Sequence, residues 1–144
     1  MFREQDAEST GDVIARLWIF TFFTMIFRDL HEMAVASTIE GILSGTFEGN
    51  PVTDAGLVVG GGILVLMLAT FVLSTTLKPY AARRINLAMS PLAIAGGLYI
   101  VPNDPDDFLL ATVTIAALST IFLISIFWRT AGSHSVSGEV RHAV

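Results

Sequence analysis

Four long apolar blocks run along the chain, at residues 13–36, 55–77, 83–101 and 108–128, separated by short polar or turn-forming stretches. A helix that crosses the hydrocarbon of a bilayer needs roughly 20 mostly apolar residues, and each block is about that length. The pattern predicts an all-α membrane protein: a four-transmembrane-helix bundle over residues 13–129. A cytoplasmic N-terminal segment (1–12) precedes it, and a disordered cytoplasmic tail (130–144) with Gly, Ser and His follows.

The first block is not apolar all round. At about 100° per residue, Thr21, Thr24, Arg28, His31 and Glu32 fall on one face with Asp29 at its edge, while Ile19, Phe22, Phe23, Ile26 and Leu30 cover the other. A helix surrounded by lipid has no use for such a division. The stripe is therefore expected to face other helices or a wet cavity. If the helix ended at Phe27, the apolar part after Arg16 would be only about 16 Å long, too short to cross. Continuation through the charged residues is the reading adopted, with Arg28 near mid-depth and Glu32 nearer the outer surface.

Ionisable side chains at membrane depth are expensive and usually have a partner or a task. Thr21, Thr24, Arg28, Asp29, His31 and Glu32 are thus the candidate intramembrane site. Two readings stand side by side. In one, Arg28 pairs with Glu32 at i,i+4 and with neighbouring helices, and the cluster specifies orientation or assembly. In the other, Asp29, His31 and Glu32 exchange protons or bind a polar substrate from the outer side, and Arg28 holds their charge down or receives an anion.

Between the first two blocks, Ser37-Thr38-Ile39-Glu40 matches a capping box. Ile39, Ile42, Leu43 and Phe47 follow at helical spacing, which predicts a short outer amphipathic helix limited by Gly45 and Gly49. Asn50-Pro51 should turn the chain, and Thr53 or Asp54 should cap span two. Small residues at four-residue spacing predict close helix packing: Gly56 and Gly60 in span two, Ala93 and Gly97 in span three, and Thr112, Ala116 and Thr120 in span four. Gly60-Gly61-Gly62 is read as helical packing, with an unwound segment lining a site as the alternative. Pro91 should kink span three. Residues 102–107, Pro-Asn-Asp-Pro-Asp-Asp, read as a solvated acidic outer turn and helix cap.

Charge adds an orientation. Lys and Arg of short loops stay cytoplasmic. With four spans starting inside, Arg3, Arg16, Lys78, Arg83, Arg84, Arg129 and Arg141 fall on one side, and the outer loops carry acidic residues and no Lys or Arg. Both termini are therefore expected in the cytoplasm of a multi-pass cell-membrane protein, with span one serving as its own insertion signal. Trp18, Tyr80 and Trp128 are expected at the inner interface and Tyr99 at the outer one.

Composition narrows the chemistry. The net charge of −5 offers no basic footprint for nucleic acid. With no cysteine, thiol chemistry and iron–sulfur ligation are excluded. The one lysine, Lys78, lies at the inner interface, out of reach for a retinal Schiff base, and His31 alone cannot supply both ligands of a membrane haem. No cofactor, no metal and no catalytic residues are expected.

The stretch Leu17-Trp18-Ile19-Phe20 with Phe23 and Asp29, the Leu73-Ser74…Leu77 to Ala82-Arg83-Arg84-Ile85-Asn86 hairpin, and the Pro102-containing third turn resemble a family. It is the family of small prokaryotic four-helix membrane proteins known as a domain of unknown function, distantly similar in layout to DoxX-like proteins. The resemblance covers most of residues 13–129 and implies the four-helix architecture. The acidic residues of that family's second and fourth spans have no counterpart here, so the resemblance implies no proton relay or metal site.

The sequence thus predicts a non-catalytic oligomeric or accessory membrane subunit, whose partners are the lipid bilayer and copies of itself or another membrane protein. The alternative is a small oligomeric transporter or channel that uses Asp29, His31 and Glu32.

Overall fold

The computed structural model describes residues 2–47, 50–99 and 105–128. They form five helices: α1 (Phe2–Glu32), α2 (Ala36–Leu43), α3 (Asp54–Thr76), α4 (Pro79–Tyr99) and α5 (Pro105–Phe127). Two strands of two residues each, β1 (Thr46–Phe47) and β2 (Asn50–Pro51), pair antiparallel between α2 and α3. The architecture is all-helical, with α5 packed against both α1 and α4, and α3 packed mainly against α4.

The helix ends follow from local chemistry. Pro79 and Pro105 each open a helix, where the missing N–H has no intrahelical partner to lose. Thr53 caps α3 by accepting a hydrogen bond from the Gly56 amide at 3.1 Å. The capping box expected at Ser37 does not form: α2 starts a residue earlier, behind Val35, with no side-chain cap. The chain turns into the small β-hairpin at Gly45, whose φ of +82° suits a residue without Cβ. Two-residue strands are too short to leave a period-2 pattern in the sequence, so nothing announced them.

Helix α1 departs most from expectation. It begins at Phe2, so the polar segment 1–12 is largely helical, and it ends at Glu32 rather than 36. The carbonyls of Asp29, His31 and Glu32 accept from the amides of Met33, Ala34 and Val35 in a closing turn.

Among the described residues two helices, α3 and α5, are long and apolar enough to cross a membrane, not four as expected. Arg16, Arg28, Asp29 and Glu32 interrupt the apolar run of α1, and Arg83, Arg84, Asn86 and Ser90 dilute that of α4. On α3 the apolar side chains face outward; Val58 is 74% exposed and Val65 65%. A chain that met only water would rarely show so continuous an apolar surface.

The core lies towards one end of the bundle, around Ile14, Trp18, Met67, Ala82, Leu118, Ile121 and Trp128. Trp18 and Trp128 are buried there. Phe22 packs beside Trp18 and meets Phe71 edge-on. Tyr80 is exposed, with the Arg84 guanidinium 4.3 Å above its ring. The Tyr99 side chain, residues 101–104 and the tail 130–144 lie outside the described residues.

Candidate functional site

The stripe predicted on α1 separates into three environments. Thr21 and Thr24 are buried, and their hydroxyls donate to the carbonyls of Leu17 and Phe20, each at 2.9 Å. With its proton committed to its own helix, neither hydroxyl offers a donor to a wet path.

Arg28 is the second environment. Its Nε and Nη2 form a two-pronged ion pair with Asp107 in the first turn of α5, the Nη2–Oδ2 distance being 2.8 Å. Asp107 is 2% exposed. This planar fork-to-fork geometry is the strongest form of guanidinium–carboxylate pairing. The residue expected in a solvated turn is therefore the buried partner of Arg28, and a neighbouring element does supply an acid. Asp107 also sits where the α5 dipole favours negative charge. Asp107 lies in the first turn of α5 and Arg28 one turn from the end of α1, so the pair sits near one end of the helical bundle.

The rim is the third. His31 Nε2 contacts Asp106 Oδ2, an ion pair when the imidazole is protonated, with both side chains about half exposed. Glu32, the last residue of α1, is half-buried. Asp29 is exposed, and its carboxylate makes no hydrogen bond or ion pair with the described residues.

Behind Asp29 opens a cleft of about 180 Å³ between the four long helices. Asp29 and Arg28 stand at its polar end, Met25, Met67 and Leu118 form apolar walls, and Gly60, Ala93 and Gly97 line it as well. A Cβ added at Gly60, Gly61, Gly62 or Gly97 would meet nothing within 4 Å. Among the described residues, the expected close packing at Gly60 and Gly97 is thus absent: these glycines leave space where side chains would fill it. Gly60–Gly62 are helical, not unwound. Gly56 instead lies against its own cap, with Thr53 Oγ1 3.2 Å from where a Cβ would be.

The expected seam on α5 also points elsewhere. Thr112, Ala116 and Thr120 are exposed, and the helix buries Asp107, Ala117, Leu118, Ile121 and Ser125. Small-residue spacing identified a smooth helix face but not the partner it serves.

A second polar centre lies at the opposite end, built around Asn86 of α4. Its Oδ1 accepts from Trp18 Nε1 at 2.7 Å, and Ser74 Oγ of α3 stands 3.1 Å away. The Ser74 hydroxyl is also 2.7 Å from the Thr70 carbonyl, so one hydrogen serves two acceptors. Asn86 Nδ2 donates to the Ala82 carbonyl at 2.9 Å, and Ser90 Oγ donates to the Asn86 carbonyl at 2.7 Å. Arg83 donates from Nε and Nη2 to the carbonyls of Ser125 and Ile126, at 2.8 and 2.9 Å, and so caps the C-terminus of α5. Asn86 joins three helices, α1, α3 and α4. The sequence signal was a lone Asn inside an apolar block, the type of residue that hydrogen-bonds across helices in a membrane.

Among the described residues, no group of three His, Cys, Asp or Glu side chains converges on a metal position. No family model, no curated protein and no solved structure matches the chain.

Proposed function

We propose that the chain is a four-span membrane protein without catalytic activity of its own, which acts as an assembly of copies held together through α3. In this reading α1 and α4 cross the bilayer beside α3 and α5, both termini are cytoplasmic, and the Arg28 end faces outward. The ring of basic residues at Lys78, Arg83 and Arg84 supports that orientation.

The observation behind the assembly is the outward face of α3. Val58, Gly62, Val65, Ala69 and Val72 recur at alternating steps of four and three, the spacing of a helix–helix seam. All five are exposed, and among the described residues nothing lies within 4 Å of a Cβ placed at Gly62. The face is smooth and small-residued, which favours close approach in lipid. In a dimer about an axis normal to the membrane the same face of each copy would meet.

The test is the mass of the full chain in dodecyl-maltoside micelles. The wild type should be a dimer or larger, and the double variant Gly62→Ile with Ala69→Ile should be a monomer. An unchanged oligomer in the variant, or a wild-type monomer that copurifies with nothing, overturns the reading; one stoichiometric membrane partner would make it an accessory subunit. Orientation is tested on the cysteine-free background: Ser44→Cys should react with impermeant maleimide from outside, and Lys78→Cys only after permeabilisation.

A second reading, a small transporter, is favoured by one observation: Asp29 stands at the polar end of a cleft between helices.

A further inference from the structure

The geometry points to the cleft as a binding site for a small cationic amphiphile: a protonated amine seated on Asp29, with a single apolar ring or short tail between α1, α3, α4 and α5. This goes beyond the assembly reading, because the cleft and the outward seam lie on different faces of α3. Gly60, Ile63, Leu64 and Met67 face the cleft, whereas Val58, Gly62, Val65, Ala69 and Val72 do not line it. It supplies a ligand class for the transport reading without depending on flux.

The shape is the first support. The cleft, at about 180 Å³, is somewhat larger than the apolar cavity of roughly 150 Å³ that takes up benzene. Its walls offer few groups for a polar body. Thr114, the one hydroxyl in the lining, already donates to the Leu110 carbonyl at 2.9 Å.

Charge is the second support. Two ionisable groups line the cleft, Arg28 and Asp29. Both Arg28 donors that meet Asp107 turn its guanidinium to that carboxylate, so its charge is balanced within the protein. The Asp29 carboxylate makes no direct ion pair or hydrogen bond with the described residues; the Arg28 charge reaches it only through space and is shared with Asp107. The like charge of Asp107 also reaches it, and Asp106 follows at the same helix start with His31 beside it, so acidic groups outnumber Arg28 at this end among the described residues. A cation is drawn to such a mouth and an anion is repelled. An ammonium suits a lone carboxylate, because its three donors need no planar partner.

The test uses the full chain in dodecyl-maltoside micelles with 13C-methyl methionine. Met25 and Met67 line the cleft, while Met89 is on α4 outside the lining and reports non-specific uptake. The probes share one ring and differ in the head: phenethylammonium, 2-phenylethanol and 3-phenylpropionate. Phenethylammonium should shift Met25 and Met67 saturably and leave Met89 in place. The alcohol should bind at least tenfold more weakly, and the carboxylate should not bind. Asp29→Asn should weaken the ammonium at least tenfold and bring it level with the alcohol. Gly97→Leu keeps Asp29 but fills the cleft, and should abolish the shifts; its added Cβ meets no neighbour, so the helix accommodates it.

Equal affinity for all three heads, or full affinity in both variants, overturns the proposal. Adding phosphatidylethanolamine separates two sources of the same ammonium: displacement of the probe assigns the site to the lipid amine, and undisturbed binding to a free amine. Saturable binding in a protein that produces no amine flux in vesicles would retain the site and remove the transport reading. Loss of the dimer with intact binding would remove the assembly reading alone.

Discussion

The two ends of the bundle solve the problem of buried polarity in opposite ways. At the Trp18 end the groups around Asn86 are neutral, hydrogen-bonded across three helices and surrounded by close-packed side chains, with the Arg83 guanidinium capping α5 beside them. At the Arg28 end they are charged, paired between only two helices, and set beside a cleft lined by glycine. The difference shows in α3. It buries Met67, Thr70 and Ser74 in its second half and nothing between Asp54 and Leu66. Packing density, not polarity, separates a structural centre from a region with room for a ligand.

Breaking the ion pair should have the largest effect. Asp107→Ala leaves the Arg28 guanidinium without its carboxylate, and stripping one partner from a largely buried pair costs about 3 kcal/mol. The loss should appear as reduced thermal stability in micelles, and adding Arg28→Met should recover much of it. If the double variant is no more stable than Asp107→Ala, the pair is not the contact that joins α1 to α5.

At the other end, Asn86→Ala removes the acceptor of Trp18 Nε1 and strands that donor in the core. The expected loss is about 2 kcal/mol. Tryptophan emission is the companion measurement, because Trp18 is one of two indoles and loses its hydrogen bond. Unchanged stability and emission would mean that this centre is replaceable by packing alone.

The smallest effect has the opposite sign. Gly97→Ala adds a methyl group that meets no atom of the described residues within 4 Å and removes the backbone freedom of a glycine in the last turn of α4. It should stabilise the bundle by roughly 0.5–1 kcal/mol. A destabilising Gly97→Ala would mean that the cleft is filled by a neighbour, and the contrast between the two ends would then disappear.

Much of the helical layout could be read from apolar block length. Helices α3 and α5 lie within three residues of the expected blocks at each end. Helix α1 was misplaced because its first turns are polar and its last turns charged, and hydropathy is silent about helix in such segments. The site was half legible. Arg28 and Asp29 stood out as expensive residues, but the partner of Arg28 is far along the chain, in a Pro-Asp-Asp motif whose ordinary role is a solvated helix start. Only the packing of α5 on α1 turns Asp107 inward. The glycines misled for a related reason: small side chains permit close approach, and they equally permit empty space.

The placement of Arg28 and Asn86 has a consequence for biosynthesis, if the chain is threaded into a bilayer from its N-terminus. Helix α1 leaves the ribosome with a cation whose carboxylate is not yet made, and that carboxylate belongs to α5, the last of the described helices. Until α5 arrives, α1 has no internal counter-charge at Asp107. Asn86 appears earlier, with α4, and joins α1 and α3 first. Assembly would then run from the Trp18 end to the Arg28 end, and the ion pair would be the final latch. A chain truncated before α5 should hold α3 in the membrane and leave α1 exposed to quality control.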